Sequence, residues 1–328
     1  MFKAIVTGDL HYRGTNPRSR LDNFQESLSA KLLEVLSLAR EHSADCIIIP
    51  GDIFDGPSTS WGVVADLIQI LKVAPCPVLT IHGNHDIYGG NVISKHRTPY
   101  GLLSKIGFLW DVEDSDFQGP EGVIITGCGF TTDTDTKTPA GMAQFSPRLW
   151  VEDAFHIHVV HSMLMDREPG FDMRHTLISE VKTSAKVVVS GHEHAGFGVQ
   201  YRQSDDVVFV NPGALCRLSA HVAEMERTVQ VMLLKVADGR AYVENIPLKS
   251  AAPGAEVLSR EHIESANQRN QQIDEFLRLL ASEGESKFLE VREIVEDIAA
   301  RDGIGGVVKG EALRRIGEAR EKLGVNSL

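Results

Sequence analysis

The chain has 328 residues, 42% of them hydrophobic and 24% charged, and a net charge of −12 at neutral pH. Its length exceeds what one hydrophobic core usually organises, and its ordinary composition excludes a disordered or fibrous protein. The acidity, which extends into residues 251–328 with 15 acidic against 11 basic side chains, excludes a global basic face that would grip a polyanion unaided.

Residues 2–7 form a short apolar run that reads as a buried strand and leads into Asp9-Leu10-His11. No long apolar leader precedes it and no stretch reaches membrane-spanning length, so a cytoplasmic protein is expected. Phe24, Leu28, Leu32, Leu36 and Ala39 recur at helical spacing. A second strand over 45–50 closes on Gly51-Asp52-Ile53-Phe54-Asp55. Val64, Leu67, Ile68 and Leu71 mark the next helix, and a third strand over 77–82 ends in Gly83-Asn84-His85-Asp86. Continuous apolar strands between amphipathic helices predict a sheet covered by helices. Further strands are expected over 123–128, 155–160, 186–190, 207–210, 228–236 and 241–247, the second followed by His161 and the third by Gly191-His192-Glu193-His194. The pattern predicts an α/β fold, a two-sheet β-sandwich flanked by helices, over residues 1–250.

At Ser250-Ala251-Ala252-Pro253-Gly254 the character changes, and residues 251–328 read as a small helical module. Its apolar positions fall into three groups: Ile263, Ile273, Phe276, Leu277 and Leu280; Phe288, Val291, Ile294, Val295 and Ile298; and Leu313, Ile316 and Leu323. Gly284 and residues 303–306 are expected breaks. The stripes suit packing on the main domain or binding a partner equally well. Cys46, Cys76, Cys128 and Cys216 stand alone in apolar contexts without C-x-x-C spacing, which predicts buried free thiols.

The five strand-end clusters carry the chemistry. Asp, Asn and His ligands, with no thiolate among them, suit ions such as Mn²⁺, Zn²⁺ or Fe²⁺, and the set is large enough for two. Ligands placed at the ends of different strands converge at one sheet edge. In Asp9-Leu10-His11 the middle residue points away, so the flanking pair can chelate one ion. The Asp52 carboxylate has two oxygens and can bridge two ions roughly 3.5–4 Å apart, the separation for phosphoester hydrolysis. Asn84 adds a neutral oxygen, and His192 and His194 can serve one ion each. The glycines before Asp52, Asn84 and His192 are expected to turn the backbone sharply off each strand. His156 and His158 share a strand with His161 and could replace it as ligand, although position after the strand favours His161. Glu193 is expected to face solvent, and Asp55 to be a supporting carboxylate or a turn residue.

In order and spacing, D-x-H, G-D-x-x-D, G-N-H-D, H and G-H-x-H resemble the calcineurin-like metallophosphoesterase superfamily over residues 1 to about 250. That resemblance implies one metal held by Asp9, His11, Asp52 and His194 and a second by Asp52, Asn84, His161 and His192, most simply Mn²⁺. It also implies that His85 is not a ligand but faces the substrate and protonates the leaving oxygen or stabilises the phosphorane-like transition state, that Asp86 helps orient His85, and that a hydroxide generated at the metal pair attacks phosphorus in line. Within the superfamily, Gly51 to Asp55 followed by Pro57-Ser58, the segment Asn211-Pro212-Gly213-Ala214-Leu215-Cys216-Arg217-Leu218 and the helical tail are similar to the SbcD-type nuclease subunits of DNA repair and recombination. Some of those carry histidine at the place of Asp55. The resemblance implies DNA as substrate, exonuclease or endonuclease activity, an SbcC-like SMC-type ATPase as partner and a homodimer, with the helical tail replacing a larger capping domain. Arg13, Arg18, Arg20, Lys95 and Arg97, close to the metal motifs in sequence, are then the candidate phosphate contacts. A small-molecule phosphodiesterase or phosphatase, for a cyclic nucleotide or a glycerophosphodiester, would use the same fold and metals, and the acidic composition favours it.

Overall fold

In the computed structural model, which describes residues 1–261, Glu264 and 286–322, the first strand already shows how the layers stack. β1 (Phe2–Val6) sends Ile5 into a core shared with helices and Phe2, Ala4 and Val6 into a core shared with a second sheet. Both faces are buried, which is why the run is apolar at almost every position. β2 (Cys46–Ile49) and β3 (Val78–Thr80) are buried throughout. β4 (Trp110–Asp111) extends the row, β5 (Phe117–Gln118) begins the second sheet, and β6 (Val123–Cys128) and β7 (Phe155–Ser162) form its centre. After a two-residue pair, β8 (Leu164–Met165) with β9 (Thr176–Leu177), come β10 (Val187–His192), β11 (Gly198–Arg202), β12 (Val207–Asn211), β13 (Gln230–Ala237) and β14 (Arg240–Pro247).

The sheets run β14-β13-β1-β2-β3-β4 and β11-β12-β10-β7-β6-β5. β1 to β4 are mutually parallel, as are β12, β10, β7 and β6, while β13, β14, β11 and β5 pair antiparallel. This is the expected α/β sandwich. The C-terminal ends of β1, β2 and β3 in one sheet, and of β7 and β10 in the other, carry every metal motif. β11 was not expected from the sequence. It is a five-residue edge strand of mixed exposure whose partner is β12, so its apolar signal is weak.

α1 (Phe24–Glu41) starts at Asn23, whose side chain accepts from the Glu26 amide, and buries Phe24, Leu28, Leu32, Val35, Leu36 and Ala39. α2 (Trp61–Leu71) buries Val64, Leu67 and Leu71. Both helices pack in the core that contains Ile5, each large apolar side chain contributing about 1.5–3 kcal/mol. A third core, including Phe145, Val160, Val188 and Phe209, covers the other face of the second sheet.

The chain divides into two compact units, Met1–Ser259 and Arg260–Leu328. Of the second, helices Ser286–Arg301 and Gly306–Lys322 are described, joined through Gly303 with φ +65°. Ile294 and Ile298 on the first of these are 37% and 36% exposed. The stripe at Ile263 to Leu280, and Leu323, lie outside the described residues. No helix among the described residues is long and apolar enough to cross a membrane.

Candidate metal centre

Asp9 and His11 leave the end of β1, and Leu10 and His11 donate their amides to the Asp52 carbonyl at 3.1 and 2.9 Å, so the first two motifs are laced together by backbone. Three non-glycine residues of the motifs, His11 (φ +48°), Asp52 (+47°) and His192 (+77°), adopt the left-handed region. Each such residue costs about 1–3 kcal/mol, a strain that clusters where function requires an otherwise unfavourable side-chain direction.

The glycines act differently from expectation. Of the three that precede motif residues, only Gly51 has a positive φ, +103°. Gly83 and Gly191 are required for close approach: a Cβ on Gly83 would lie 2.0 Å from Asp52 Oδ1, and one on Gly191 would lie 2.4 Å from Asp9 Oδ1.

Two groups of ligand atoms meet at Asp52. On one side, His11 Nε2 lies 3.0 Å from His194 Nε2 and 3.4 Å from Asp52 Oδ2, and His194 Nε2 lies 3.4 Å from Asp9 Oδ2. On the other, His161 Nε2 lies 3.3 Å from the same Asp52 oxygen and 3.0 Å from Asn84 Oδ1, with the His192 ring centred 5.0 Å from that of His161. Ring nitrogens and carboxylate oxygens of Asp52, His161 and His192 fall within 4.8 Å of one another.

His161 Nδ1 faces the Pro50 carbonyl at 2.7 Å and donates there. Its Nε2 thereby faces two oxygen acceptors, Asp52 Oδ2 and Asn84 Oδ1, an arrangement that calls for positive charge between them, either a proton on Nε2 or a metal ion. The electrostatics agree. Burial works against a charged His161, yet the Asp52 carboxylate raises its pKa to about 10. For Asp52 and Asp9 burial opposes ionisation, but neighbouring imidazoles hold both below the usual carboxylate range. Burial, and the His161 charge, push His192 down to about 4. Asp9 Oδ1 and His11 Nδ1 are buried without a hydrogen-bond partner. These carboxylate, amide and imidazole groups, converging from several strand ends on one buried carboxylate, fit a pair of divalent ions.

His156 and His158 lie on the opposite face of β7 from His161, as strand alternation requires. His158 is satisfied by Thr126 and the Gln144 carbonyl, and His156 is held through Nε2 by the Val151 backbone, so neither reaches the site.

His85 is half-buried beside His11, ring centroids 4.6 Å apart, and its Nδ1 lies 2.8 Å from the Asp55 carbonyl. Asp86 does not orient that ring, which corrects the sequence expectation. Its carboxylate accepts from the Gly83, Ile53 and Phe54 amides at 2.9, 3.2 and 3.1 Å and ties the second motif to the third. Asp55 is a supporting carboxylate, placed between His11 (3.5 Å) and Arg13 (2.8 Å). Glu193 folds back to accept from the Ala195 and Gly196 amides instead of facing solvent.

The basic residues divide. Arg20 is buried and paired with Asp22 through two hydrogen bonds of 2.7 and 2.6 Å, and Lys95 is held by Asp111 and Asp114 at 2.9 and 2.8 Å. These two are withdrawn as phosphate contacts because local carboxylates already neutralise them. Arg18 and Arg97 are exposed, the latter with its guanidinium 5.9 Å from the Tyr88 ring centre, and Arg13 is half-buried at the rim.

Sequence reasoning missed Phe130, whose ring packs against His161 and His192 at 6.3 and 5.9 Å. Like the metal motifs, it directly follows a parallel strand, the one signal that pointed to it. The sequence also left unexplained why the segment after β12 belongs with the site. Asn211 donates to the Glu193 carbonyl, and its oxygen accepts from the Gly213 amide.

Fold and site together define a two-metal phosphoesterase architecture. The chain belongs to the calcineurin-like phosphoesterase family, whose model matches residues 2–196, and membership implies a metal-dependent phosphoester hydrolase with a dimetal site. It is 31% identical over 108 residues to the DNA double-strand break repair protein Mre11 of Methanococcus maripaludis, a match covering 32% of this chain and 27% of that protein's length. A dimetal phosphatase from Danio rerio shares the fold, with a TM-score of 0.50 at 12% identity over 75% of this chain and 96% of that one. The Thermus thermophilus protein TT1561 aligns with a TM-score of 0.46 at 15% identity, covering 74% of this chain and 98% of that one.

Proposed function

We propose that the chain is a two-metal phosphodiesterase that cuts DNA in the manner of SbcD-type nuclease subunits. In this reading Asp9, His11, Asp52 and His194 hold one ion and Asp52, Asn84, His161 and His192 the other, with Mn²⁺ the proposed metal. The observation that carries it is the shared carboxylate: Asp52 Oδ2 lies 3.4 and 3.3 Å from imidazole nitrogens of the two groups. When bound, the pair supplies Lewis acidity toward the phosphoryl oxygens and activates water.

The protein's own groups do the rest. Asn84 adds a ligand without charge, so the site can admit an anionic diester. His85, with Nδ1 donating to the Asp55 carbonyl, presents Nε2 as the nitrogen that carries a proton to the leaving oxygen. Asp86 acts as a positioning residue by tying the Gly83 amide, before His85, to the Ile53 and Phe54 amides of the second motif.

For DNA the support is the partial likeness to the Methanococcus repair protein and two exposed cations, Arg18 and Arg97, that follow the first and third motifs in sequence. Arg18 and Arg97 would contact phosphates and position a backbone without reading bases, whereas Arg13 would have to leave the Asp55 carboxylate, 2.8 Å away, to do so. The net charge of −12 leaves most of the grip to a partner, which we take to be an SbcC-like SMC-type ATPase in a cytoplasmic complex, with homodimerisation of this chain. A small-molecule phosphodiesterase is the second reading, favoured by the neutralisation of Arg20 and Lys95. The test is hydrolysis in Mn²⁺ of a labelled linear DNA beside bis-p-nitrophenyl phosphate. DNA cleavage that falls about 10²–10⁴-fold in His85→Asn, with metal content unchanged, supports the nuclease. Turnover of the small ester with DNA left intact, even after an SMC-type partner is supplied, moves the assignment to the second reading.

A further inference from the structure

We infer that Cys216 is a thiolate ligand to the ion held by His11 and His194, so that one half of the centre accepts a thiophilic metal; this rests on the two-metal reading above. A ring nitrogen of each histidine and the Cys216 sulfur lie within 4.8 Å of one another. Ligands sharing one ion at zinc-like bond lengths stand about 3.5 Å apart, so only small side-chain adjustments separate this trio from a coordination sphere. Among the described residues no other cysteine joins a group of three ligands.

The backbone places Cys216 there by construction. The Ala214 amide donates to the His194 carbonyl at 3.0 Å, and the Leu215 amide to the Asp9 carbonyl at 2.9 Å, so the loop is registered on two proposed ligands just before the cysteine. Gly8 and Gly213 make this approach possible, since a Cβ on Gly8 would lie 2.1 Å from the Gly213 carbonyl oxygen. Behind the loop, the buried Lys31 ammonium donates to the Leu215 carbonyl at 2.9 Å, and Arg227 donates to the Cys216 carbonyl. Those cations offset the negative charge that a third anionic ligand, beside Asp9 and Asp52, would bring. Independently of the cysteine, Asp9 Oδ1 is buried without a hydrogen-bond partner, leaving this side of Asp52 with unused ligand capacity.

Coordination would release the thiol proton to solvent. The resulting sphere of nitrogen, oxygen and one sulfur shifts preference from Mn²⁺ toward Fe²⁺, Co²⁺ or Zn²⁺, whereas the sequence motifs alone hold no thiolate.

The experiment titrates the metal-free full chain with Co²⁺ and follows the near-ultraviolet sulfur-to-cobalt charge-transfer band in the wild type, Cys216→Ser and Cys76→Ser. The expected result is a band in the wild type and Cys76→Ser that is lost in Cys216→Ser. X-ray absorption of the cobalt-loaded wild type reads the same bond should the variant fail to fold, with a sulfur neighbour expected at about 2.3 Å. Two bound cobalt ions with neither band nor sulfur neighbour overturn the thiolate and leave the dimetal centre standing. A wild-type chain that takes up no cobalt overturns both.

Discussion

Replacing Asp86 with Ala removes the acceptor of three backbone amides, those of Gly83, Ile53 and Phe54. The side chain is 1% exposed, so no solvent replaces it directly. Each buried donor left unsatisfied costs about 1–3 kcal/mol; allowing for local relaxation, the total is roughly 3–6 kcal/mol. In a unit the size of Met1–Ser259 each kcal/mol moves the melting temperature by about 2–4 °C, so calorimetry of the full chain should record a fall of roughly 6–24 °C. Asp86→Asn keeps one oxygen, able to serve the two amides that share Oδ2, and sets an NH₂ against the Phe54 amide. It should cost about a third as much as Asp86→Ala. Because the His85 ring is held by Asp55, Asp86→Asn should retain far more activity than His85→Asn. A melting temperature for Asp86→Ala within about 2 °C of wild type, less than 1 kcal/mol, would refute the claim that this carboxylate locks the second and third motifs together.

Gly191→Ala places a methyl 2.4 Å from Asp9 Oδ1 and 2.6 Å from the Pro50 carbonyl oxygen that faces His161, and should lower both the bound metal, by elemental analysis, and the melting temperature. Burial lowers Lys31 to about 8 from 10.5. The folded state therefore binds fewer protons there than the unfolded state between those values, and stability should rise with pH across the window by up to about 3 kcal/mol. Lys31→Met should remove that contribution in urea titrations at pH 7.5 and 10, and an unchanged slope would contradict a buried, depressed amine. If DNA is bound, Arg97→Met should weaken binding and reduce the salt slope by about 0.9, whereas Lys95→Met, a residue already committed to Asp111 and Asp114, should leave that slope unchanged.

Strand ends carrying Asp, Asn and His are recoverable from sequence because each motif is local: an apolar run, a turn, then the ligand. Nine expected strands appear in the sandwich for the same reason, and the parity of β7 alone separates His161 from His156 and His158. Interactions between distant segments are what sequence reading could not reach. Arg20 and Lys95 look like free cations in the chain, yet the second is neutralised by carboxylates beyond β3, at Asp111 and Asp114. The Asp86 carboxylate was assigned to its neighbour His85, when its partners include amides more than thirty residues away. Cys216 reads as a buried thiol in an apolar context, and only the hydrogen bonds from its loop to Asp9 and His194 bring it to the ligands.

The most direct test of the dimetal assignment is anomalous diffraction from crystals of the full chain grown with Mn²⁺. The geometry predicts two manganese peaks roughly 3.5–4 Å apart, both within ligand distance of Asp52, with Asp9, His11 and His194 around one and Asn84, His161 and His192 around the other. A single peak, or two peaks that do not share Asp52, would contradict it.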